Sequence, residues 1–310
     1  MRHQRICILG GSGFVGRRLS AALLAEGRRV RVLTRSSSLA HTAFDHPDAE
    51  VVQVNPHYVS DLSERLSDCD AVINLVGILN ESGDQTFRLV HGELPAKVAE
   101  ACRYCRIERL LHMSALGVSD EAPSAYLRSK AIGEQAAMTT SAAVTRFRPS
   151  VIFGRDDDFT NRFATLIKWI PFVFPLAAPN ATLTPVFIDD VVSAFVGALD
   201  DPTTFGERYD LVGPTTYTLA EVVRLIASVQ GRRRFVLGLN PTLSDLQARV
   251  MEWVPGKPLT RDNLASLSVP GESDSNALPR FNINPTPMES ILPTYLSTTA
   301  TASTSPEGAE

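Results

Sequence analysis

Apolar and polar positions divide the first half of the chain into short strands separated by longer helices. Short runs of apolar, often β-branched residues predict buried strands, whereas apolar residues at helical spacing predict the segments between them. The predicted strands are residues 6–9, 30–33, 51–54, 71–76, 109–113 and 144–147. Strands that alternate with helices in this order form a parallel sheet covered on both faces, so the pattern predicts a doubly wound α/β fold.

The second half of the chain contains shorter predicted elements. Residues 171–181 are rich in proline and alanine and predict an irregular connection. A short strand at 209–212 precedes a helix at 218–229, and an amphipathic helix is predicted at 240–254. Residues 296–310 are rich in Ser, Thr and Ala without an apolar period, and we expect this tail to be disordered.

A glycine-rich turn follows the first predicted strand and opens a helical pattern that ends at Gly27. Residues without a Cβ allow the turn to approach a pyrophosphate, and the N–H groups at a helix N-terminus favour an anion. We therefore expect a dinucleotide site here, and a turn that only packs the helix on the sheet is the alternative. The predicted cofactor-binding residues of the turn are Gly10, Ser12, Gly13, Phe14, Val15 and Gly16.

Arg35 lies about twenty residues beyond Gly16, after the second predicted strand. Enzymes that select NAD(H) place an acidic residue here, which binds the adenosine ribose 2′-hydroxyl. A carboxylate would repel the 2′-phosphate of NADP(H), whereas a guanidinium binds it in a bidentate manner, and Ser36 supplies a further donor. The sequence therefore favours NADP(H), with NAD(H) as the alternative cofactor.

Tyr126 and Lys130 lie four positions apart in a predicted helix and therefore share one face. Tyrosine is a poor acid or base at neutral pH because its pKa is about 10, and a neighbouring ammonium favours the phenolate. Ser114 follows the fifth predicted strand, at the sheet edge where ligands bind in this fold class. We expect Tyr126, Lys130 and Ser114 to form a catalytic set; the alternative is an exposed helix face with an i,i+4 contact.

The composition excludes several classes of protein. The net charge of −4 with 21% charged residues gives no support for nucleic-acid binding. The sequence contains no run of about eighteen apolar residues, the length of a membrane span. We expect no signal or transit peptide, because the first predicted strand begins at residue 6. Cys102 and Cys105 have no second pair to complete a metal site, and we expect reduced thiols in a cytoplasmic protein. The basic segment 232–234 predicts a solvated turn or, beside the amphipathic helix, contact with an anionic membrane surface.

Seven segments together resemble the short-chain dehydrogenase/reductase superfamily, in its extended and atypical branches. They are GGSGFVG, NLVGIL, SAYLRSKAIGE, RPSVIFGRDDDFTNRFA, PVFIDDV, YDLVGP and PLTRDN, in this order between residues 10 and 263. They are most similar to the branch that contains the nucleotide-binding accessory subunit of respiratory complex I and its bacterial homologues. The resemblance implies that the loop at Val76 and Gly77 closes over the cofactor. It also implies that the chain leaves the sheet beside the nicotinamide at Pro149. The role of the family motif at Arg261, Asp262 and Asn263 does not follow from the sequence.

The resemblance also implies how the chain is organised. It implies a Rossmann core at 1–150 with later contributions from about 183–212, and a smaller, mostly helical lobe at 151–290 interleaved with that core. It further implies tightly held NADPH and a location that is cytoplasmic or peripheral to the inner membrane.

Two hypotheses about function follow. The first is an NADP(H)-binding accessory protein of a membrane-bound respiratory or quinone-related complex, because the mitochondrial relatives are regarded as non-catalytic. The second is an active NAD(P)-dependent reductase, epimerase or dehydratase that uses Tyr126 and Lys130.

Overall fold

The computed structural model describes residues 2–35, 45–56, 58–140 and 142–297. A sheet of seven parallel strands forms its centre, in the order β3-β2-β1-β4-β5-β6-β11. These strands are β1 Arg5–Leu9, β2 Arg29–Thr34, β3 Ala49–Gln53, β4 Ala71–Asn74, β5 Arg109–Met113, β6 Ala143–Pro149 and β11 Arg208–Leu211. The predicted Rossmann-type doubly wound fold is therefore confirmed.

Ten α-helices lie within the described residues. They are α1 Phe14–Ala25, α2 Val59–Leu66, α3 Leu94–Cys105, α4 Ala125–Ala137, α5 Asp158–Trp169, α6 Ile188–Leu199, α7 Leu219–Val229, α8 Pro241–Met251, α9 Arg261–Leu267 and α10 Met288–Leu296. A π-helical turn, Arg88–Glu93, directly precedes α3, so the helical segment before β5 has two parts.

Both faces of the sheet are covered because successive side chains of a buried strand point to opposite sides. Ile6 and Ile8 of β1 pack in one apolar cluster with side chains of α1 and α6, including Leu23. Cys7 and Leu9 pack on the other face in a cluster with side chains of α2 and α3. The glycine turn after β1 therefore lies at the carboxyl edge of a rigid, fully buried strand.

Later segments of the chain complete the core. β11 pairs with β6, and α6 covers the sheet beside α1. The buried guanidinium of Arg109 on β5 donates to the carbonyls of Ala198 and Leu199 at the end of α6, at 2.9 and 3.2 Å. Leu278, far along the chain, is fully buried in the same cluster. These contacts join the two halves of the sequence in one sheet layer.

The lobe contains α5, α7, α8, α9 and α10 with short strand pairs. The pairs are β7 Ile152–Phe153 with β10 Val186–Phe187, β8 Val173–Leu176 with β13 Phe235–Gly238, and β9 Thr182–Leu183 with β12 Tyr217–Thr218. Its apolar cluster includes Leu292 and Leu296 of α10. Leu296, the first residue of the predicted tail, is helical and buried, and 298–310 lie outside the described residues.

The described residues contain no helix that is long and apolar enough to cross a membrane. Among these residues no group of His, Cys, Asp and Glu side chains is arranged to hold a metal ion. Cys102 is buried and Cys105 is half-buried, and both are thiols without a disulfide.

Candidate dinucleotide site

The turn after β1 has no room for side chains. A Cβ on Gly16 would lie 2.2 Å from the Gly10 carbonyl oxygen, and Gly10 itself has a φ of +79°. Gly13 is the N-cap of α1 and its N–H donates to the Gly10 carbonyl at 3.0 Å, while no acidic side chain occupies the first turn of the helix. The turn thus brings a close-packed backbone to the N-terminus of α1, as an anion site requires.

The remaining predicted residues of the turn lie around the same helix start. Ser12 and Val15 are half-buried, as is Phe14. A Cβ on Gly154 would lie 3.3 Å from the Phe14 ring, so the turn also meets the chain that leaves β7. The structure therefore places Ser12, Phe14 and Val15 together with the three glycines.

The end of β4 lies against the glycine turn. A Cβ on Gly10 would lie 3.2 Å from the Val76 nitrogen, and Val76 N–H donates to the Asn74 side-chain oxygen at 3.2 Å. Gly77 is exposed beside this contact. Val76 and Gly77 therefore border the same crevice as Gly10.

Arg35 directly follows β2 and is exposed. Its carbonyl accepts a hydrogen bond of 3.2 Å from Gln53. Within the described part of the chain its guanidinium takes part in no ion pair, which leaves the cation available to a ligand. Ser36 lies outside the described residues.

Lys130 is the buried cation of the site. Its Nζ donates to the Met113 carbonyl at the end of β5 at 3.3 Å, and a Cβ on Gly77 would lie 3.0 Å from the same nitrogen. The residue is 5% exposed, and burial lowers the pKa of Lys130 to about 8, against the opposing effect of Glu134. A charged group with one carbonyl partner is expensive to bury, so this nitrogen is suited to bind further oxygen atoms.

Two histidines that sequence reasoning missed surround Lys130. His91 Nε2 accepts a hydrogen bond of 3.0 Å from Ile78 N–H, and its Nδ1 lies 2.8 Å from the Ser129 hydroxyl. Burial, with a contribution from Lys130, lowers the pKa of His91 to about 2 and that of His112 to about 3. Both imidazoles are neutral at physiological pH, and the cluster therefore carries the single charge of Lys130.

Tyr126 packs in an aromatic group rather than against the lysine. Its ring meets those of Phe87 and His91 edge to face, with centroids 5.9 and 5.5 Å apart. Burial raises the pKa of Tyr126 to about 12. The expected lowering of this pKa is therefore wrong in this structure, because loss of solvent disfavours the phenolate and the Lys130 ammonium is directed at Met113.

Ser114 and Pro149 lie at the ends of neighbouring strands. The Ser114 N–H donates to Phe147 at 2.7 Å, and the Pro149 carbonyl accepts from Leu116 at 2.9 Å. The Ser114 hydroxyl is buried and has no hydrogen-bond partner among the described residues. A buried hydroxyl without a partner is costly, and it is the group that a ligand oxygen would satisfy.

The lobe contacts this site through the segment that contains α9. The Asp262 carboxylate accepts hydrogen bonds from the N–H groups of Ala125 and Tyr126 at 2.6 and 3.1 Å, so it caps α4. Asn263 donates to the Asn80 side chain at 3.1 Å. The role of the motif Arg261-Asp262-Asn263 did not follow from the sequence. In the structure the motif connects the lobe to α4, which carries Tyr126, and to the loop after Gly77.

A cavity of about 690 Å³ lies in the lobe. Residues 178–182 and side chains of α8 and α9 line it, including Ser244 and Leu264. Because α9 begins beside the Asp262 cap, the cavity lies on the lobe side of the site.

Residues 10–158 match the family model described as NAD(P)H-binding. The chain is 27% identical over 295 residues to mouse NADH dehydrogenase [ubiquinone] 1 alpha subcomplex subunit 9, which covers 91% of this chain and 77% of the mouse protein. Matches to the rat and Arabidopsis thaliana subunits span only 59% and 56% of those proteins. This chain is also 26% identical to the ceramide reductase of Caulobacter vibrioides, over 80% of this chain and 78% of that protein.

Solved structures show the same fold. An NADPH-dependent quinone oxidoreductase from Escherichia coli, complexed with NADPH, has a TM-score of 0.75 at 15% identity, with 92% of this chain and 97% of that chain covered. The glycine turn, the buried Lys130 and the Ser114 hydroxyl fit a dinucleotide on the geometry described above. Residues 10–158 thus match an NAD(P)H-binding family, and the chain is a homologue of the mitochondrial complex I accessory subunits.

Proposed function

We propose that the chain holds NADP(H) in preference to NAD(H) and serves as an accessory protein of a membrane-bound respiratory or quinone-related complex, at the periphery of the inner membrane. The observation that carries the proposal is the buried Lys130 ammonium, which lies between Gly77 and Met113 and has, among the described residues, one carbonyl partner. The accessory role is supported by the similarity to mitochondrial complex I subunits.

Each predicted residue has a proposed part in holding the cofactor. The turn residues Gly10, Ser12, Gly13, Phe14, Val15 and Gly16 hold the pyrophosphate. Arg35 and Ser36 bind the 2′-phosphate that distinguishes NADP(H). Val76, Gly77 and Pro149 border the nicotinamide half, and Lys130 donates to its ribose. Bound NADPH would be able to supply a hydride, and only the second candidate function below would use it.

The raised pKa of Tyr126 supports an accessory role over abstraction of a proton by this residue. A phenol with a pKa of about 12 is protonated at neutral pH and donates hydrogen bonds, but it is a poor base. Its aromatic neighbours Phe87 and His91 hold it in this state. In this proposal Tyr126 lies beside the cofactor but takes no part in its oxidation or reduction.

The second candidate function is an active reductase, epimerase or dehydratase that uses Tyr126, Lys130 and Ser114. The buried Ser114 hydroxyl favours it, because a substrate carbonyl oxygen would supply the missing partner. Tyr126 would then donate its proton to that oxygen. The similarity to ceramide reductase supports a carbonyl group on a lipid as the substrate class.

Nucleotide identification tests the first proposal. We expect the purified chain to release NADPH on heat denaturation, and a mild-detergent pull-down from native membranes to recover subunits of a respiratory or quinone-related complex. A chain that retains no nucleotide even at saturating NADPH would overturn cofactor binding. Recovery of the chain alone from membranes would overturn the accessory role.

Absorbance at 340 nm separates the two functions. Bound NADPH is mixed in turn with quinones, ketones, nucleotide sugars and long-chain keto lipids, and we expect no oxidation above the rate without acceptor. Tyr104, exposed on α3, provides the matched control Tyr104→Phe. Oxidation that persists in Tyr104→Phe and disappears in Tyr126→Phe would establish an enzyme.

A further inference from the structure

Helix α8 presents its apolar side to solvent. Leu243, Leu246 and Val250 are each about half exposed, and Trp253 just beyond the helix is 90% exposed. The side that faces the lobe contains Ser244 and Ala248. An amphipathic helix of a globular protein normally buries its apolar side, so α8 is oriented in the opposite way.

A second group of exposed apolar residues joins α8. Trp169 and Phe172, at the end of α5, are 79% and 81% exposed, and Phe235 at the start of β13 is 67% exposed. The Phe235 N–H donates to the Phe172 carbonyl at 2.9 Å, and β13 pairs along its length with β8. The Gln247 side chain of α8 donates to the Pro175 carbonyl of β8 at 3.3 Å.

These contacts place α8, β8, β13 and the end of α5 side by side, and we name their exposed large apolar side chains the apolar face. It is defined by Trp169, Phe172, Phe235, Leu246, Val250 and Trp253. Both tryptophans of the chain are among these six residues. Large apolar patches that stay exposed on a folded protein mark sites of interaction with a partner or a membrane.

The chain segments that form the apolar face are basic, whereas the rest of the chain is acidic. Residues 162–178 and 230–257 contain seven Lys and Arg and two Asp and Glu, a net charge of +5 in a chain of net charge −4. Arg234 is bound to the Ile167 carbonyl at the end of α5. In the described part of the chain Arg232 and Arg233 take part in no ion pair, so their charge is available to a partner.

We propose that the apolar face docks on the surface of an anionic lipid bilayer. Tryptophan is enriched at membrane interfaces, where its ring is apolar and its N–H reaches water, and arginine beside it is attracted to anionic headgroups. A second copy of the chain fits less well, because two faces of net positive charge repel each other. The proposal deepens the peripheral location proposed above and rests on it, but it is independent of the cofactor site.

Intrinsic fluorescence provides a direct probe, because both tryptophans lie on the apolar face. The full chain is titrated with vesicles of phosphatidylcholine alone and with vesicles that contain about one third phosphatidylglycerol. We expect cosedimentation and a shift of emission to shorter wavelength with the anionic vesicles only. High salt should weaken binding, since the headgroup attraction is screened.

Two double variants that keep both tryptophans separate the apolar from the electrostatic contribution to vesicle binding. Leu246→Ser with Val250→Ser should abolish the wavelength shift, and Arg232→Gln with Arg233→Gln should weaken vesicle binding by about ten- to thirtyfold. The control changes exposed residues of α3 and its C-cap, as Arg103→Gln, Tyr104→Ser and Arg106→Gln, and should bind vesicles like the parent.

NADPH affinity is measured for every variant, so that failure of lipid binding is distinguished from failure of cofactor binding. The proposal is overturned if anionic vesicles neither sediment the parent nor shift its emission, or if the apolar-face variants bind as tightly as the parent. A shift that appears without lipid as protein concentration rises, together with dimers in sedimentation velocity, would also overturn it in favour of a second copy.

Discussion

The Asp262 carboxylate accepts a hydrogen bond of 3.1 Å from the main-chain N–H of Tyr126, across 136 residues of sequence. A second bond from Ala125 N–H, at 2.6 Å, makes Asp262 a cap of α4 that comes from the lobe. The Ser124 hydroxyl caps the same helix from within, through Leu127 N–H. The start of the helix that carries Tyr126 and Lys130 is therefore fixed jointly by the core and the lobe.

Asp262→Ala should destabilise the protein by about 1–2 kcal/mol, because two N–H groups at a helix N-terminus lose a charged acceptor. Urea unfolding measures this loss. NADPH affinity should also fall, because Tyr126 and Lys130 lie in the first turns of α4. Asp245→Ala is the matched control, since Asp245 forms an exposed i,i+4 ion pair with Arg249 and its loss should cost at most about 0.5 kcal/mol. Equal losses in the two variants would contradict the capping role.

Lys130→Met should raise the stability of the protein without cofactor. The folded-state pKa of about 8 lies below the ordinary 10.5, so folding penalises the protonated lysine. The penalty is fully present below pH 8 and fades as the pH rises toward 10.5, where the unfolded lysine also becomes neutral. At pH 7 we expect the variant to gain about 1–3 kcal/mol in its free energy of unfolding, and at pH 10 much less.

The same variant should lose NADPH affinity, because the proposed ribose contact is gone. Lys168→Met, on an exposed position of α5, serves as control and should change neither quantity by much. If Lys130→Met proves less stable than the parent at pH 7, the Lys130 ammonium is better satisfied than one carbonyl contact allows, and the argument for a ligand there fails.

Arg35→Asp should weaken NADPH binding by about ten- to a hundredfold, corresponding to about 1.5–3 kcal/mol for a charge-assisted contact. NADH binding should be retained, because NADH has no phosphate at the 2′ position. Fluorescence titration with both cofactors gives the two dissociation constants. Arg106→Asp, exposed at the end of α3, controls for the change in net charge. Equal NADPH affinity in Arg35→Asp and the parent would reject the proposed selectivity.

Gly16→Ala should abolish nucleotide binding and destabilise the fold by at least about 2 kcal/mol, because the new Cβ would lie 2.2 Å from a backbone oxygen that has no room to move. Thermal unfolding and NADPH titration measure the two effects. Gly92→Ala is the control, since its Cβ would meet only the Ile132 side chain at 3.6 Å. A Gly16→Ala protein that binds NADPH normally would show that the turn does not hold the cofactor.

The spacing of apolar residues and glycines along the sequence predicted those parts of the site that are formed by neighbouring residues. The glycine turn, the alternation of strands and helices, and the helix that carries Tyr126 and Lys130 follow from periodicity and from residues without a Cβ. The helix predicted at 218–229 is α7, which spans Leu219–Val229 with Thr218 as its N-cap.

Features of the site that depend on tertiary contacts cannot be predicted from the local sequence. His91 lies in an ordinary helical pattern, and only the fold brings it beside Lys130. The cap by Asp262 joins two distant segments and cannot be read from spacing. The pKa of Tyr126 was expected to fall because the sequence shows a lysine four residues away but not the aromatic rings that exclude water.

The completion of the core by α6, β11 and Leu278 has a consequence for biosynthesis. As the protein leaves the ribosome, the first 150 residues emerge without the strand that pairs with β6 and without the helix that packs beside α1. We therefore expect the nascent first 150 residues to expose apolar surface until α6, β11 and Leu278 have emerged, and to depend on chaperones during that interval.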